Sequence, residues 1–327
     1  MIAVRKNASM TSELTTEISP TTQGSFPGVL AENRLVKRAV RSKTNPILLL
    51  VVAGGFSLAA KGAVPKAAPD DIVYDLKLDL PITGVAALGW FGSSLLGNQL
   101  GSRSCRWCDQ SSTFVNTLND LDTHARSALR WSNTDAANTV SNVVAYGVAP
   151  LAMLGLDAVA ANHEHKVRRT PIDALLIAEA CSVSGLIDQT VKFTSRRERP
   201  FVHFLGPNEK LRTQLPSDNN TSFYSGHTSF VFALAVSTGT LASLRHYRWA
   251  PAIWITGLTL AVATGYLRIA ADRHYLTDVV AGAVAGSAIG FAIPYFFHYH
   301  PTLAGSKVSL SLSPAPGALG LSAGMAW

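Results

Sequence analysis

The feature that most constrains the fold is a series of seven apolar runs, most of them close to the length of a membrane-spanning helix. They lie at 46–64, 80–101, 137–160, 171–192, 227–244, 250–268 and 275–297. A helix needs about 20 apolar residues to cross the hydrocarbon core of a bilayer. Because 47% of the 327 residues are hydrophobic and 15% are charged, we predict an all-α chain, a helical bundle of about six core helices embedded in a membrane.

Several of these runs contain carboxylates, which restricts how the helices can pack. The acidic positions are Asp157, Asp173, Glu179 and Asp188. If the helices span a membrane, these side chains have to face the bundle interior or a water-filled cavity. Because these charged residues also make the runs less apolar, a soluble helical domain exported to the periplasm remains an alternative to a membrane-embedded bundle.

Small residues in the last run indicate close helix packing. Gly282, Gly286 and Gly290 recur every four residues, so they lie on one face of a helix and let a neighbouring helix approach closely. We therefore predict a tight bundle around this helix.

Basic residues between the runs predict an orientation. Lys166, Arg168 and Arg169 lie between the third and fourth runs, and Arg245 and Arg248 lie between the fifth and sixth. The positive-inside rule places both links in the cytoplasm. The loops after the fourth and sixth runs then face the periplasm from a bacterial-type inner membrane.

The chain divides into four predicted segments. Residues 1–33 are rich in Ser and Thr and are predicted to be disordered, and 34–64 form a signal peptide or signal anchor. Residues 65–300 form the helical domain, and 301–327 a flexible tail or a short hairpin. If the link that contains Lys166 lies in the cytoplasm, the first two runs cannot both cross the membrane. We expect the second run, 80–101, to pack without crossing it.

Three clusters of polar residues carry the functional prediction. The first is Lys192, followed after six intervening residues by Arg199 and Pro200. The second is Ser225-Gly226-His227. The third is Arg268, followed after five intervening residues by His274 and after three more by Asp278. Phosphoryl transfer spreads negative charge over three oxygens, so a site for it needs fixed cations around a nucleophile and an acid. This inventory of three cations, two histidines and a carboxylate suits that chemistry.

The third cluster lies at the start of the last run. His274 and Asp278 are four residues apart, so a helix would present them on one face. Asp278 is expected to accept the Nδ1 proton of His274, which leaves Nε2 as a nucleophile. In the first helical turn, the helix dipole would lower the pKa of His274 and keep the imidazole neutral.

The second cluster lies where the fifth run begins. Ser225 is expected to be the N-cap residue, so that the amides of Gly226 and His227 point outward and bind an anion. His227 is then placed to protonate a leaving oxygen. Arg268, at the end of the sixth run, is expected to reach the same anion.

Taken together, the three clusters resemble the signature motifs of the type 2 phosphatidic acid phosphatases, a superfamily that also contains vanadium-dependent haloperoxidases and bacterial acid phosphatases. The motifs span nearly ninety residues in the family's order, which makes a chance match improbable. The resemblance implies a helical bundle of that type, without a metal or cofactor in phosphatase members. It also implies a phosphohistidine on His274, with His227 as the acid. The implied phosphate-binding residues are Lys192, Arg199, Ser225, Gly226 and Arg268, and the implied catalytic residues are His274, His227 and Asp278.

Two positions depart from the family pattern. Tyr224 stands where the family usually has proline, and Leu267 where it usually has serine. Neither change removes a charged or nucleophilic group, so we expect the chemistry to survive. Arg196 and Arg197 lack the motif spacing and are predicted to be solvated or to contact lipid headgroups.

These observations predict a metal-independent phosphatase acting on a lipid phosphate or pyrophosphate. One alternative is a vanadium haloperoxidase with vanadate on His274, and another is a non-catalytic membrane scaffold or lipid-binding protein. The net charge of +7 is spread over helix ends and the motifs, which fits anionic lipid headgroups better than a nucleic acid. The motifs do not distinguish one lipid phosphate from another, nor predict an oligomeric state.

Cysteine use is sparse. Cys105 and Cys108 form a single C-x2-C, for which we predict a disulfide in an oxidising compartment, with half of a metal site or two free thiols as alternatives. Cys181 lies in an apolar run and is predicted to be buried.

Overall fold

A computed structural model describes residues 72–102, 104–110, 115–300, 302–303, 306–315 and 318–326. The predictions for 1–33 and 34–64 lie outside these residues.

Helices make up most of the described chain. They are α1 (Leu76–Leu95), α2 (Gly97–Leu100), α3 (Asp120–Leu129), α4 (Thr134–Val143), α5 (Ala149–His163), α6 (Thr170–Ser195), α7 (Pro200–His203), α8 (Pro207–Lys210), α9 (Gly226–Leu244), α10 (Ala250–Ala270) and α11 (Leu276–Ala292). A π-helical turn at Val144–Val148 joins α4 to α5, a second at Ile293–Phe297 extends α11, and a 3-10 turn at Val167–Arg169 precedes α6. The predicted helical bundle is therefore confirmed.

Three short strands follow the bundle. They are β1 (Thr302–Leu303), β2 (Ser306–Ala315) and β3 (Ala318–Ala326). They pair antiparallel in the order β1-β2-β3, with Leu303 opposite Ser306 and Ser311 opposite Ser322. The segment for which we predicted a flexible tail or a hairpin thus forms a small meander.

The bundle has a buried central helix and apolar outer faces. Helix α9 is apolar on all sides and packs against α6, α10 and α11, as expected for a helix without a solvent face. On the outer helices, Leu151, Ile255 and Val284 are 77%, 69% and 65% exposed. In the part of the chain that the structure describes, five segments are long and apolar enough to cross a membrane: Thr134–His163, Val167–Ser195, Gly226–Leu244, Ala250–Ala270 and Leu276–Phe297. The outward apolar surface and the helix lengths support a membrane-embedded bundle.

The carboxylates of the apolar runs face the bundle interior, as predicted. Asp157, Asp173, Glu179 and Asp188 are all buried. Asp173 accepts a hydrogen bond of 2.7 Å from Arg245 across the bundle.

The glycine face of α11 lies directly on α9, which confirms the predicted close approach. A Cβ atom at Gly282 would lie 2.6 Å from the carbonyl oxygen of Ser225, and one at Gly290 would lie 2.6 Å from that of Ala233. A Cβ atom at Gly286 would overlap the carbonyl oxygen of Ser229. Only glycine permits this helix spacing.

We expect Gly286→Ala to destabilise the bundle by about 1–3 kcal/mol or more, because the added methyl group meets backbone that cannot rotate away. Thermal unfolding in detergent measures the effect. The matched control is Gly155→Ala in α5, where a Cβ atom would have no neighbour within 4 Å. An equal melting temperature for the two variants would contradict the proposed packing constraint.

Helix α1 lies beside α6 over the depth of the bundle. Near its end, Ser94 accepts a 3.1 Å hydrogen bond from Gln189 of α6. Just before its start, the amide of Val73 donates to the carbonyl of His298, which follows the last turn after α11. We predicted that this run packs without crossing, and α1 is not among the membrane-length segments found in the described part of the chain. The helix runs from the far end of α11 to the loops that carry the motifs. The indole of Trp90 packs on Gly185, where a Cβ atom would lie 2.6 Å from Cγ of the ring.

Candidate active site

A cavity of about 310 Å³ lies where the ends of α1, α6, α9 and α10 meet the loop before α11. Six of the eight predicted site residues line it: Lys192, Arg199, Gly226, His227, Arg268 and His274. Ser225 and Asp278 are buried behind its wall. The structure therefore brings the three sequence motifs together around one opening.

Lys192 is held by a carboxylate on its own helix. Its Nζ lies 2.7 Å from Oδ2 of Asp188, one turn earlier on α6, and both side chains are buried. Asp188 also lines the cavity. We had predicted only that Asp188 faces the interior. The signal that could have revealed its role is the i,i+4 spacing to Lys192.

Arg199 connects the long loop before α9 to His274. Its Nη2 donates to Oδ1 of Asp218 at 2.8 Å and to Oγ1 of Thr221 at 3.0 Å. Its Nη1 lies 3.4 Å from Nε2 of His274. Burial acts against the charged form of Asp218, but Arg199 and Thr221 outweigh it and lower the pKa of this carboxyl below its ordinary value.

Arg268 is fixed by two polar side chains of α4. Its Nη1 donates to Oδ1 of Asn138 and to Oγ of Ser141, both at 2.8 Å. The Nε of Arg268 is buried and has no hydrogen-bond partner among the described residues. Because a buried donor without a partner is costly, an anion in the cavity would find a free donor here.

His274 is oriented by a backbone carbonyl. Its Nδ1 lies 2.7 Å from the carbonyl oxygen of Ser222. A carbonyl only accepts, so Nδ1 carries the hydrogen and Nε2 carries the lone pair. The expected partner, Asp278, has its nearest oxygen 3.8 Å from Nδ1, beyond hydrogen-bond distance. The predicted direct bond between Asp278 and His274 is therefore wrong.

The start of α11 explains this difference. His274 precedes the helix, whose N-cap residue is Tyr275, so it is not in the first turn as predicted. Oδ2 of Asp278 turns back to accept the amide of Tyr275 at 3.0 Å and the hydroxyl of Ser222 at 2.5 Å. Asp278 thus supports His274 indirectly. It accepts the hydrogen bond from the hydroxyl of Ser222, and the carbonyl of Ser222 holds the ring of His274.

The pKa of His274 lies well below its ordinary value. Burial is the main cause, and the cations of Arg199, Arg268 and Lys192 add to it, while the carbonyl of Ser222 acts in the opposite direction. The ring is therefore a neutral base at physiological pH. The predicted protonation state agrees with this direction, although we had attributed it to the helix dipole.

His227 lies in the first turn of α9. Its Nε2 is 2.7 Å from Oδ1 of Asn142, and its ring centroid is 4.7 Å from that of Tyr146. The neighbouring Gly226 permits close approach, since a Cβ atom there would lie 2.7 Å from Nζ of Lys192. The motif glycine thus makes room for the motif lysine.

Ser225 is the N-cap residue of α9, as predicted, but it does not face the cavity. Its amide donates to the carbonyl of Asp278 at 3.1 Å, and its hydroxyl pairs with that of Thr228 at 2.9 Å. The prediction that the Ser225 backbone binds phosphate is therefore not supported by this geometry. Ser225 instead ties α9 to α11.

Arg197, predicted to be solvated, is completely buried. Its guanidinium bonds to three carboxylates and lies between two aromatic rings. The bonds reach Asp109 at 3.0 Å, Asp122 at 2.9 Å and Asp278 at 2.6 Å, and the ring centroids of Trp107 and Tyr275 are 4.2 and 4.3 Å away. Arg197 therefore fixes Asp278 from behind the site. No motif spacing links it to Asp109 or Asp122, which lie far upstream.

A disulfide joins Cys105 and Cys108, as predicted. It closes the short loop that carries Trp107, the residue stacked on Arg197. Cys181 is buried, also as predicted.

We expect Asn142→Ala to lower kcat by about tenfold, because the ring of His227 loses the hydrogen bond that orients it and general acid–base steps contribute roughly 10²–10⁴ in rate. Phosphate release by the two proteins, measured across pH, tests this. Thr139→Ala, an exposed change on the same helix, is the control. Identical pH profiles for wild type and Asn142→Ala would show that Asn142 does not position His227.

The sequence profile described as PAP2 superfamily matches residues 173–301, the segment that carries all three motifs. The chain is 30% identical over 125 residues to an undecaprenyl-diphosphatase of Sulfolobus acidocaldarius, covering 38% of this chain and 55% of that protein. It is 39% identical over 69 residues to a lipid A 1-phosphatase of Porphyromonas gingivalis, covering 21% of this chain and 15% of that protein. The chain thus spans about half or less of each of these relatives.

A solved structure is also similar. It is the transmembrane PAP2 type phosphatidylglycerolphosphate phosphatase from Bacillus subtilis, with 13% identity and a TM-score of 0.38, covering 67% of this chain and 94% of that one. The profile described as PAP2 superfamily thus matches the same segment, 173–301, whose three motifs converge on the cavity.

Proposed function

We propose that this protein hydrolyses a lipid phosphate or diphosphate through a phosphohistidine on His274, without a catalytic metal. The observation that carries the proposal is the neutral Nε2 of His274, which lies 3.4 Å from Arg199 in a cavity that Lys192 and Arg268 also line. A lone pair next to fixed cations suits attack on a phosphoryl group, because the cations balance the charge that develops on its oxygens.

The reaction has two steps. Nε2 of His274 attacks phosphorus, the bond from phosphorus to the leaving oxygen breaks, and His227 donates a proton to that oxygen. In the second step His227 takes a proton from water, the hydroxide attacks phosphorus, the bond to Nε2 breaks, and inorganic phosphate leaves. Arg199, Lys192 and Arg268 hold the phosphoryl oxygens in both steps.

The cavity wall supports a lipid substrate. Beside the charged groups it contains Trp90, Leu95, Tyr146, Phe193 and Leu215, which suit the apolar part of a lipid next to its headgroup. The named activities of the two curated relatives also concern lipid phosphates. The substrate class we infer is therefore a phosphate or diphosphate on a membrane lipid.

The orientation follows from the basic links. Lys166, Arg168 and Arg169 lie at the end of α6 remote from Lys192, and Arg245 lies at the end of α9 remote from His227. With these links in the cytoplasm, the cavity opens on the outer face of a bacterial-type inner membrane, towards the periplasm.

The proposal is tested by phosphate release from a panel of lipids by the purified, detergent-solubilised protein. The panel comprises short-chain phosphatidic acid, phosphatidylglycerol phosphate, a polyprenyl diphosphate and lipid A, each with EDTA and with added Mg²⁺. We expect release from at least one lipid, equal under both conditions, and a ³²P-labelled protein that loses its label in acid and keeps it in base, as a phosphohistidine does.

Other outcomes would replace this function. Halide oxidation by the vanadate-loaded protein, without phosphate release, would indicate a haloperoxidase. Binding of a lipid phosphate without turnover would indicate a lipid-binding protein, and turnover that requires Mg²⁺ would contradict the metal-independent mechanism.

A further inference from the structure

A second cluster of ionisable residues lies far from the cavity, where α1 begins. Asp79 of α1, Glu179 of α6 and His298, which follows the turn after α11, are 6%, 4% and 4% exposed. One carboxylate oxygen of each acid and one ring nitrogen of His298 all lie within 4.8 Å of one another. Three separate elements thus bring three possible metal ligands to one buried point.

The hydrogen bonds orient His298 as a ligand. Its Nδ1 lies 3.0 Å from the carbonyl oxygen of Val73, which can only accept, so Nδ1 carries a hydrogen. In the neutral ring, Nε2 then directs its lone pair at Oε2 of Glu179, 3.3 Å away. Both atoms are buried and lack a hydrogen-bond partner among the residues that the structure describes. A ring held by a carbonyl at one nitrogen, with the other free, is the usual arrangement of a metal-binding histidine.

The charges of the cluster also favour a bound cation. Asp79 and Glu179 are buried acids, and no lysine or arginine in the described part of the chain forms an ion pair with either. Oδ2 of Asp79 accepts the amide of Asp75 at 2.8 Å, which leaves its charge uncompensated. Even a protonated His298, 3.3 Å from Glu179, would balance only one of the two buried carboxylates, and an unbalanced buried charge is strongly unfavourable. A divalent cation would neutralise both and use both free lone pairs.

We propose that Asp79, Glu179 and His298 bind Zn²⁺. Zinc bonds of roughly 2.0–2.2 Å in a tetrahedron place ligand atoms roughly 3.3–3.6 Å apart, and the separation of His298 and Glu179 is 3.3 Å. A set of one imidazole and two carboxylates suits zinc better than Mg²⁺ or Ca²⁺, which prefer oxygen ligands alone. Water supplies the fourth ligand.

This zinc has a structural role. Glu179 and Lys192 are thirteen positions apart on α6, a distance of about 20 Å along the helix, so the cation is remote from the phosphoryl group. It joins the start of α1 to α6 and to the segment after α11. Because the other end of α1 contributes Trp90, Ser93 and Leu95 to the cavity, the zinc fixes the helix that forms one wall of the active site.

Metal analysis tests the proposal. The protein is purified through a tag that does not bind metal, incubated with Zn²⁺, desalted and analysed by mass spectrometry. We expect about one zinc per chain, a higher melting temperature with Zn²⁺ than without, and X-ray absorption showing only nitrogen and oxygen ligands at roughly 2.0–2.1 Å. Glu179→Gln and His298→Gln lose the zinc and the temperature shift. His124→Gln, which removes an exposed histidine elsewhere, keeps both.

Two results would overturn it. One is wild-type protein that retains no zinc after incubation, in which case the cluster is a protonated His298 paired with Glu179. The other is zinc retained by both Glu179→Gln and His298→Gln. If these variants do not fold, the zinc content and absorption spectrum of the wild type still decide. None of these readouts is phosphate release, so the outcome is independent of the proposed function.

Discussion

We expect the replacement of His274 by glutamine to reduce the proposed phosphate release by roughly 10⁴–10⁶-fold in kcat, the scale seen when an enzyme loses its covalent nucleophile. Glutamine keeps a polar group of similar reach but offers no basic nitrogen to phosphorus. The cations of Lys192, Arg199 and Arg268 remain, so non-covalent binding of inorganic phosphate, the product, is retained. Release from a lipid phosphate and affinity for inorganic phosphate are measured on the same preparation.

The control is His124→Gln, which changes an exposed histidine outside the cavity and is expected to match wild type. A second comparison distinguishes the proposed nucleophile, His274, from the proposed acid, His227. His227→Gln is rescued by a substrate such as p-nitrophenyl phosphate, whose leaving group needs no proton, whereas His274→Gln is not. Wild-type turnover by His274→Gln, or its rescue by the activated substrate, would eliminate the phosphohistidine mechanism.

We expect the replacement of Arg197 by methionine to destabilise the fold by about 3–5 kcal/mol, the typical cost of removing one partner of a buried ion pair. Methionine fills part of the volume but leaves Asp109, Asp122 and Asp278 buried without their common cation. We expect turnover to fall as well, because Asp278 no longer holds Ser222 in place. Thermal unfolding in detergent and kcat are the two measurements.

The chain provides a matched control at the next position. Arg196 has a positive φ of 49° and is not part of the carboxylate cluster, so Arg196→Asn removes the same charge at a residue type that tolerates this backbone. We expect its melting temperature and kcat to stay close to wild type. If Arg196→Asn and Arg197→Met unfold alike, the net charge of the loop, and not the buried cluster, explains the effect.

The motif residues of the site were predictable because their spacing reflects local geometry. Lys192 and Arg199 end one helix and start the next segment, and Gly226 and His227 begin α9. Each reaches the cavity from the element that carries it. The glycine face of α11 was predictable for the same reason, since a spacing of four residues alone defines a helix face.

The supporting contacts were not predictable from spacing. Arg197 meets Asp109 and Asp122 only after the segment before α4 folds back on α6, and two adjacent arginines look alike in a sequence. The direct bond between Asp278 and His274 was predicted wrongly because α11 begins after His274, so the two side chains are not one helical turn apart on the same helix. The low pKa of His274 arises mainly from burial, a tertiary property.

The close contact of α9 and α11 has a consequence for work in a bilayer. His227 begins one of these helices and His274 lies directly before the other, and Ser225 ties the two starts together through the carbonyl of Asp278. Because the backbones of α9 and α11 are in direct contact along the glycine face, we expect the two helices to move together. We therefore expect changes in lipid thickness or lateral pressure to displace the outer helices, while the separation of the His227 and His274 rings stays constant.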